Sequence, residues 1–180
     1  MLTIKDVLKD VPEAGEEALA ELSDRLWELG NLEEIKEKVS PELFLLHIGT
    51  NMIGNWKCDG WWELISSHAE LIPFIPQALE AFGLYEVKTA FENVIALFPE
   101  YTVFSNEESS YYDIINFLQN VRFQVSDERL NAVAPEERKK MVNAVRQRLD
   151  VLEELTEPLW GYGAEYDGWK QVTDYIATKK

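Results

Sequence analysis

Hydrophobic residues recur at helical spacing along most of this chain. Over 84–98 the apolar positions are three and four residues apart, and they are Val87, Ala90, Phe91, Val94, Ile95 and Phe98. Pro99 ends the pattern, because proline lacks the amide hydrogen that continues a helix. The spacing predicts a helix whose Phe91, Val94, Ile95 and Phe98 face lies in the core.

The same periodicity predicts further helices. Pro12 and Pro135 stand at helix starts, before stripes made of Leu19, Leu22, Leu26 and Leu29 and of Val142, Val145, Leu149 and Leu152. Ser40-Pro41 reads as an N-cap followed by a first-turn proline, and Ser105 with Glu108 reads as a capping box. The expected long helices are 13–29, 41–53, 84–98, 106–120 and 136–157, and the shorter ones are 3–10, 60–69, 76–82 and 168–177.

Only 121–125 alternates as a strand would, and one strand cannot make a sheet. The 180 residues contain no repeat and no Gly/Ser linker. We therefore expect an all-α fold, a single irregular helical bundle of about eight helices. Residues 1–40 would be a helical extension packed on a domain formed by 41–180.

The charge is one-sided: 33 acidic and 17 basic residues give a net charge of −16. Within 41–125, three bases face eleven acids. Such a chain repels nucleic acid and anionic membrane and attracts basic surfaces. The N-terminus lacks a secretory signal, Cys58 is the single cysteine, and no apolar run reaches the roughly 20 residues of a membrane span, so a cytoplasmic location is expected.

The middle of the chain carries a set of family-like motifs. They are Asn55 with Gly60-Trp61-Trp62, Ala78-Leu79 leading to Gly83, Ala96-Leu97-Phe98-Pro99, and a closing run over 169–176. Over 43–176 the chain resembles the acidic, all-helical family of bacterial proteins named for a DNA-mimic member, although NWKCDGWW stands where that family has Asn-Gly-Gly. The resemblance implies a helical domain that binds a nucleic-acid-binding protein in place of DNA.

Two groups of acidic residues are candidate partner-binding positions. Glu13, Glu17, Glu21, Asp24 and Glu28 share one face of the predicted 13–29 helix. Glu100, Glu107, Glu108 and Asp113 are interleaved with Tyr101, Tyr111 and Tyr112, and no Lys or Arg occurs over 89–121. Each group also has an ordinary explanation, as a solvated helix face or as carboxylates favoured at a helix N-terminus.

Trp56, Trp61 and Trp62 form the third candidate site, either as a ligand-stacking platform or as a turn whose indoles pin neighbouring helices. His47, Cys58 and His68 are 11 and 10 positions apart, which is not the spacing of a metal site. We therefore predict a non-enzymatic protein with no metal and no cofactor.

Three functions remain at this point. The chain could bind a basic protein, plausibly a nucleic-acid-binding one, as a DNA mimic without contacting nucleic acid or membrane itself. It could be an immunity protein that blocks a basic toxin, or a small-molecule binder that uses the Trp-rich turn. The stripe of Val142, Val145, Leu149 and Leu152 also leaves a homodimer open.

Overall fold

The computed structural model describes residues 1–8 and 15–179, and within them it is 73% helical with no strand. The all-α prediction is confirmed. The helices are α1 (Ile4–Leu8), α2 (Glu16–Trp27), α3 (Leu32–Lys38), α4 (Pro41–Ser67), α5 (Ile75–Ala81), α6 (Tyr85–Ile95), α7 (Ser109–Gln119), α8 (Glu128–Asn131), α9 (Pro135–Trp160) and α10 (Lys170–Lys179). Short 3-10 turns lie at Ala69–Leu71 and Glu165–Gly168.

Two long helices, α4 and α9, organise the bundle. α4 contacts α2, α3, α5, α9 and α10, and α9 also contacts α6 and α7. Buried residues follow one another on every face of α4, among them Leu46, Ile48 and Met52, so this helix runs through the core rather than along it. The core is continuous from Ile4 to Ile176, and the N-terminal helices share it.

Several predicted boundaries differ from the structure. The helix predicted at 13–29 begins at Glu16 in the described part of the chain, and Pro12 and Glu13 lie outside the described residues. The helices predicted at 41–53 and 60–69 are one helix, α4. The predicted 121–125 alternation is a turn and loop.

The capping box expected at Ser105 was wrong, since α7 begins at Ser109 with Glu108 at its N-cap. The Ser105 hydroxyl instead accepts the backbone N–H of Glu107 at 3.2 Å, which makes a local turn before the helix. A true capping box, Asn31 with Glu34, opens α3, a helix that hydrophobic periodicity alone did not predict.

Among the described residues, 1–8 and 15–179, no helix is both long enough and apolar enough to cross a bilayer, as the sequence predicted.

The predicted core face of α6 is tested by Phe91→Ala. Phe91 is 1% exposed, and its ring lies 5.4 Å from that of Trp61, so removing it should leave a cavity between α6 and α4. We expect the free energy of unfolding, measured by denaturant titration, to fall by about 3 to 5 kcal/mol. Phe123→Ala is the matched control: Phe123 is 42% exposed, and its loss should cost less than about 1 kcal/mol. Equal effects of the two substitutions would contradict this packing.

Candidate functional surfaces

The predicted Trp-rich turn is a kink within α4. Gly60 has φ 77° and ψ −177°, a conformation in the left-handed region that favours glycine, and it divides α4 into two segments. The second segment therefore begins with backbone N–H groups that have no carbonyl partner inside the helix. Glu153 of α9 accepts the Trp61 N–H at 2.8 Å and, with its other oxygen, the Trp56 Nε1–H at 2.8 Å.

The indoles next to the kink are packing elements. Trp61 is fully buried, donates its Nε1–H to the Thr156 hydroxyl at 3.0 Å, and packs against Trp160 with ring centroids 5.8 Å apart. Trp56 is 6% exposed and meets Trp160 edge-on at 5.5 Å. These contacts support the structural interpretation of Trp56 and Trp61, because both indoles are buried and donate their Nε1–H groups within the protein. Trp62 is partly exposed.

A cleft of about 750 Å³ opens beside the kink, lined by residues that include Trp56, Glu153, Glu157, Trp160, Tyr162 and Asp167. Lys57, the base in its wall, donates to the Asp167 carbonyl at 2.7 Å and pairs with Glu16 at 3.4 Å. The single cysteine, Cys58, is exposed at the rim. The two Glu153 oxygens are already used by the kink, whereas no partner is described for the side-chain carboxylates of Glu157 and Asp167.

The acidic stripe on α2 lies in water. Glu17, Glu21, Asp24 and Glu28 are exposed and form no ion pair within the described part of the chain. Arg25 is also exposed and sits next to them on the helix surface, so the stripe is not purely negative. Glu13, its predicted first member, lies outside the described residues.

The predicted 100–113 cluster divides into surface and structural residues. Glu100, Glu107 and Glu108 are exposed, and Tyr112 is 70% exposed. Tyr111 is 2% exposed and its hydroxyl donates to the Ile65 carbonyl; burial raises the pKa of that hydroxyl well above its usual range. Tyr111 is therefore part of the core and not of an interaction surface.

Asp113 also supports the fold. One carboxylate oxygen accepts the backbone N–H groups of Ser126 and Asp127 at 2.9 and 2.8 Å, which fixes the loop that leads into α8. Arg129 pairs with Asp127 at 2.6 Å, and its guanidinium lies 3.7 Å from the Tyr101 ring centroid. The Arg129–Asp127 hydrogen bonds lower the pKa of Asp127. Arg129 thus places a positive charge beside the 89–121 segment, which itself contains no Lys or Arg.

Asn106 brings two acidic segments together. Its side-chain Nδ2 donates to the Ser67 carbonyl at 3.0 Å and to the Glu70 carboxylate at 2.6 Å, and its Oδ1 accepts the Ala69 N–H at 3.2 Å. The turn before α7 is thereby fixed against the end of α4. The exposed or half-exposed carboxylates of this region, named here the acidic corner, are Glu63, Glu70, Glu107 and Glu108.

Bases are scarce at the acidic corner. The two segments that form it, 58–87 and 89–121, contain no Lys or Arg. His68 lies 3.7 Å from Glu70, and in the described part of the chain neither Lys nor Arg pairs with any of the four carboxylates. Sequence reasoning found Glu107 and Glu108, but Glu63 and Glu70 join them only through Asn106.

His47 belongs to a buried polar cluster on α4. It is 1% exposed, its Nδ1 lies 3.2 Å from the Asn51 side-chain nitrogen, and its ring meets the Trp27 indole at 4.9 Å. Burial lowers its pKa to about 4. Among residues 1–8 and 15–179, no group of three or more His, Cys, Asp or Glu is placed to hold a metal ion.

Comparisons with known proteins add no relative. A scan against protein-family models, a search of curated proteins and a search of solved structures each found no match to this chain. The resemblance to the DNA-mimic family therefore stays a prediction.

Glu153→Ala tests the contact that holds the kink. The substitution leaves the Trp61 N–H and the Trp56 Nε1–H without their acceptor, so we expect unfolding free energy to fall by about 2 to 4 kcal/mol. Glu154→Ala, at the exposed neighbouring position, should change it by no more than about 0.5 kcal/mol. Denaturant unfolding measures both, and equal stability of the two variants would show that Glu153 does not fix the kink.

His47 should make stability depend on pH. Its pKa is about 4 in the fold and about 6.5 in the unfolded chain, so between these values the unfolded state binds more protons and stability falls as the pH falls. Between pH 7.5 and 5.5 this group should cost about 1 kcal/mol. His47→Gln should remove that part of the pH dependence. If the slope of stability against pH is unchanged in this variant, a group other than His47 causes the pH dependence.

Proposed function

We propose that this protein is a non-enzymatic domain that binds a basic protein, one that binds nucleic acid, through the acidic corner. The observation that supports this best is the Asn106 contact, which joins two segments without Lys or Arg into one carboxylate surface. Among the residues that the structure describes, these four carboxylates have no Lys or Arg partner, and they form a local negative field that a basic surface complements.

The net charge supports a protein partner over other classes. A charge of −16 repels nucleic acid and anionic lipid, so direct binding to either is not part of the proposal. A nucleic-acid-binding protein carries the opposite field on its binding face. A protein that covers that face acts as a DNA mimic, and its expected compartment is the cytoplasm.

The α2 stripe is a supporting surface in this proposal. Successive carboxylates of Glu17, Glu21, Asp24 and Glu28 are about 4.5 to 6 Å apart along a helix axis, whereas phosphates recur about every 3.4 Å along a DNA strand. The stripe is therefore sparse, and Arg25 interrupts its edge. It would add long-range attraction more than specific contacts.

The alternatives have less support. An immunity function would use the same acidic corner and differs only in its partner, a basic toxin. A small-molecule site at the Trp-rich turn is disfavoured because Trp56 and Trp61 are buried by the protein's own contacts. The homodimer seam is also disfavoured, since Val142, Val145 and Leu152 pack inside the bundle.

The proposal is tested with Glu107→Gln/Glu108→Gln. The immobilised protein is incubated with the heparin-binding fraction of a bacterial lysate, which is rich in basic nucleic-acid-binding proteins. We expect wild type to retain a basic protein that duplex DNA displaces and that is released as salt rises above about 0.15 M. The double variant should bind that purified partner about three- to tenfold more weakly, because two charge contacts are lost.

Glu136→Gln/Glu154→Gln is the matched control. Both positions are exposed on α9, and the net charge of the two double variants is identical. Glu136 lies in the first turn of α9, and Glu107 and Glu108 lie just before the first turn of α7, so both pairs include a carboxylate near a helix N-terminus. The control should change affinity less than about twofold. The acidic corner is contradicted as the binding surface if both double variants lose the same affinity. It is also contradicted if neither salt nor duplex DNA releases the partner.

A further inference from the structure

A small pocket lies between the C-terminal end of α7 and the middle of α9. Its volume is about 290 Å³, and its walls include Trp62, Leu118, Phe123, Val145, Arg146 and Leu149. The remaining lining residues, Gln119 and Asn120, carry side-chain amides. The pocket is thus mostly apolar with a few polar groups, which is the usual composition of a small-molecule site, at the lower end of the usual size.

Its charge is opposite to that of the chain. In the described part of the chain no carboxylate lines it, although the protein has 33 acidic residues. Arg146 is the one charged side chain among its described lining residues. The local environment therefore favours an anion.

Arg146 has most of its donors free. Its described hydrogen bond, to the Gln119 carbonyl, is long at 3.4 Å, and its side chain is exposed. A guanidinium binds a carboxylate through two parallel N–H donors, which this position allows.

A helix C-terminus by itself repels anions, and the end of α7 is next to the pocket. Arg138 offsets this effect, because its guanidinium donates to the carbonyls of Asn116, Phe117, Asn120 and Phe123 at 2.8 to 3.3 Å. The carbonyls at the helix end are thereby satisfied, and Arg146 is left for another partner.

Trp62 contributes an aromatic surface to the pocket. Its indole forms part of the wall, while its Nε1–H is buried away from the open pocket. The ring therefore offers contact area to the apolar part of a ligand.

We propose that this pocket binds a compact aromatic or alkyl carboxylate. The carboxylate pairs with Arg146, and the apolar part lies among Leu118, Val145 and Leu149. The small volume favours a molecule with a single ring over a long acyl chain.

The test compares phenylacetate with phenylacetamide, which has nearly the same shape and no charge. Binding is followed through the indole N–H resonances of the ¹⁵N-labelled protein, with Trp62→Phe used to assign the Trp62 signal. We expect phenylacetate to shift the Trp62 signal saturably and to bind about tenfold more tightly than the amide, as loss of a charged hydrogen bond implies. Arg146→Gln should weaken phenylacetate binding to the same degree.

Arg148→Gln is the matched control, because Arg148 lies on the same helix, carries the same charge and lines a different pocket. It should change phenylacetate affinity less than about twofold. The proposal is overturned if phenylacetate gives no saturable shift below about 10 mM, if the amide binds equally well, or if both arginine variants lose affinity equally. The acid and amide comparison uses wild-type protein, so it decides the question even if a variant does not fold.

Discussion

The contact of Glu153 with the kink in α4 determines how the two long helices meet. Gly60 breaks α4, and the carboxylate of Glu153 accepts one backbone and one side-chain N–H on either side of that break. The second segment of α4 then has a defined direction, which buries Trp61 against Phe91 and Trp160. It also carries Ile65 and Ser67, and the 3-10 turn with Glu70 that follows, to the place where Tyr111 and Asn106 bind them. The acidic corner therefore depends on a hydrogen-bonded carboxylate that is not itself part of that surface.

The charge of the molecule is separated along α7. Glu107 and Glu108 precede its first turn, while Arg138 and Arg146 donate to carbonyls at its last turn. Both placements are favoured by the helix macrodipole. The helix has 11 residues and is about 16 Å long, roughly two screening lengths at physiological salt. Two surfaces of opposite sign can therefore act independently on one small domain.

Periodicity was a good guide to helices and a poor one to their contacts. It placed α6 and α9 well, because their apolar faces repeat every three and four residues. Periodicity could also have predicted that Tyr111 is buried. Tyr111 lies on the same helix face as Ile114, Ile115 and Leu118, at spacing i, i+3, i+4 and i+7, and that face packs in the core. The kink could not be predicted, since the acceptor of the Trp61 N–H is a carboxylate 92 positions away in the chain. Likewise, nothing local indicates that Asn106 joins Glu70, or that Arg129 covers Tyr101.

The acidic surface has an energetic consequence that separates binding from folding. Exposed carboxylates without partners repel one another, so the folded state carries a cost that salt reduces. Attraction between the acidic corner and a basic partner is reduced by the same screening. Rising ionic strength should then stabilise the protein while it weakens the complex. Because the two effects have opposite sign, a partner lost at high salt is lost through screening of the interface and not through unfolding of this domain.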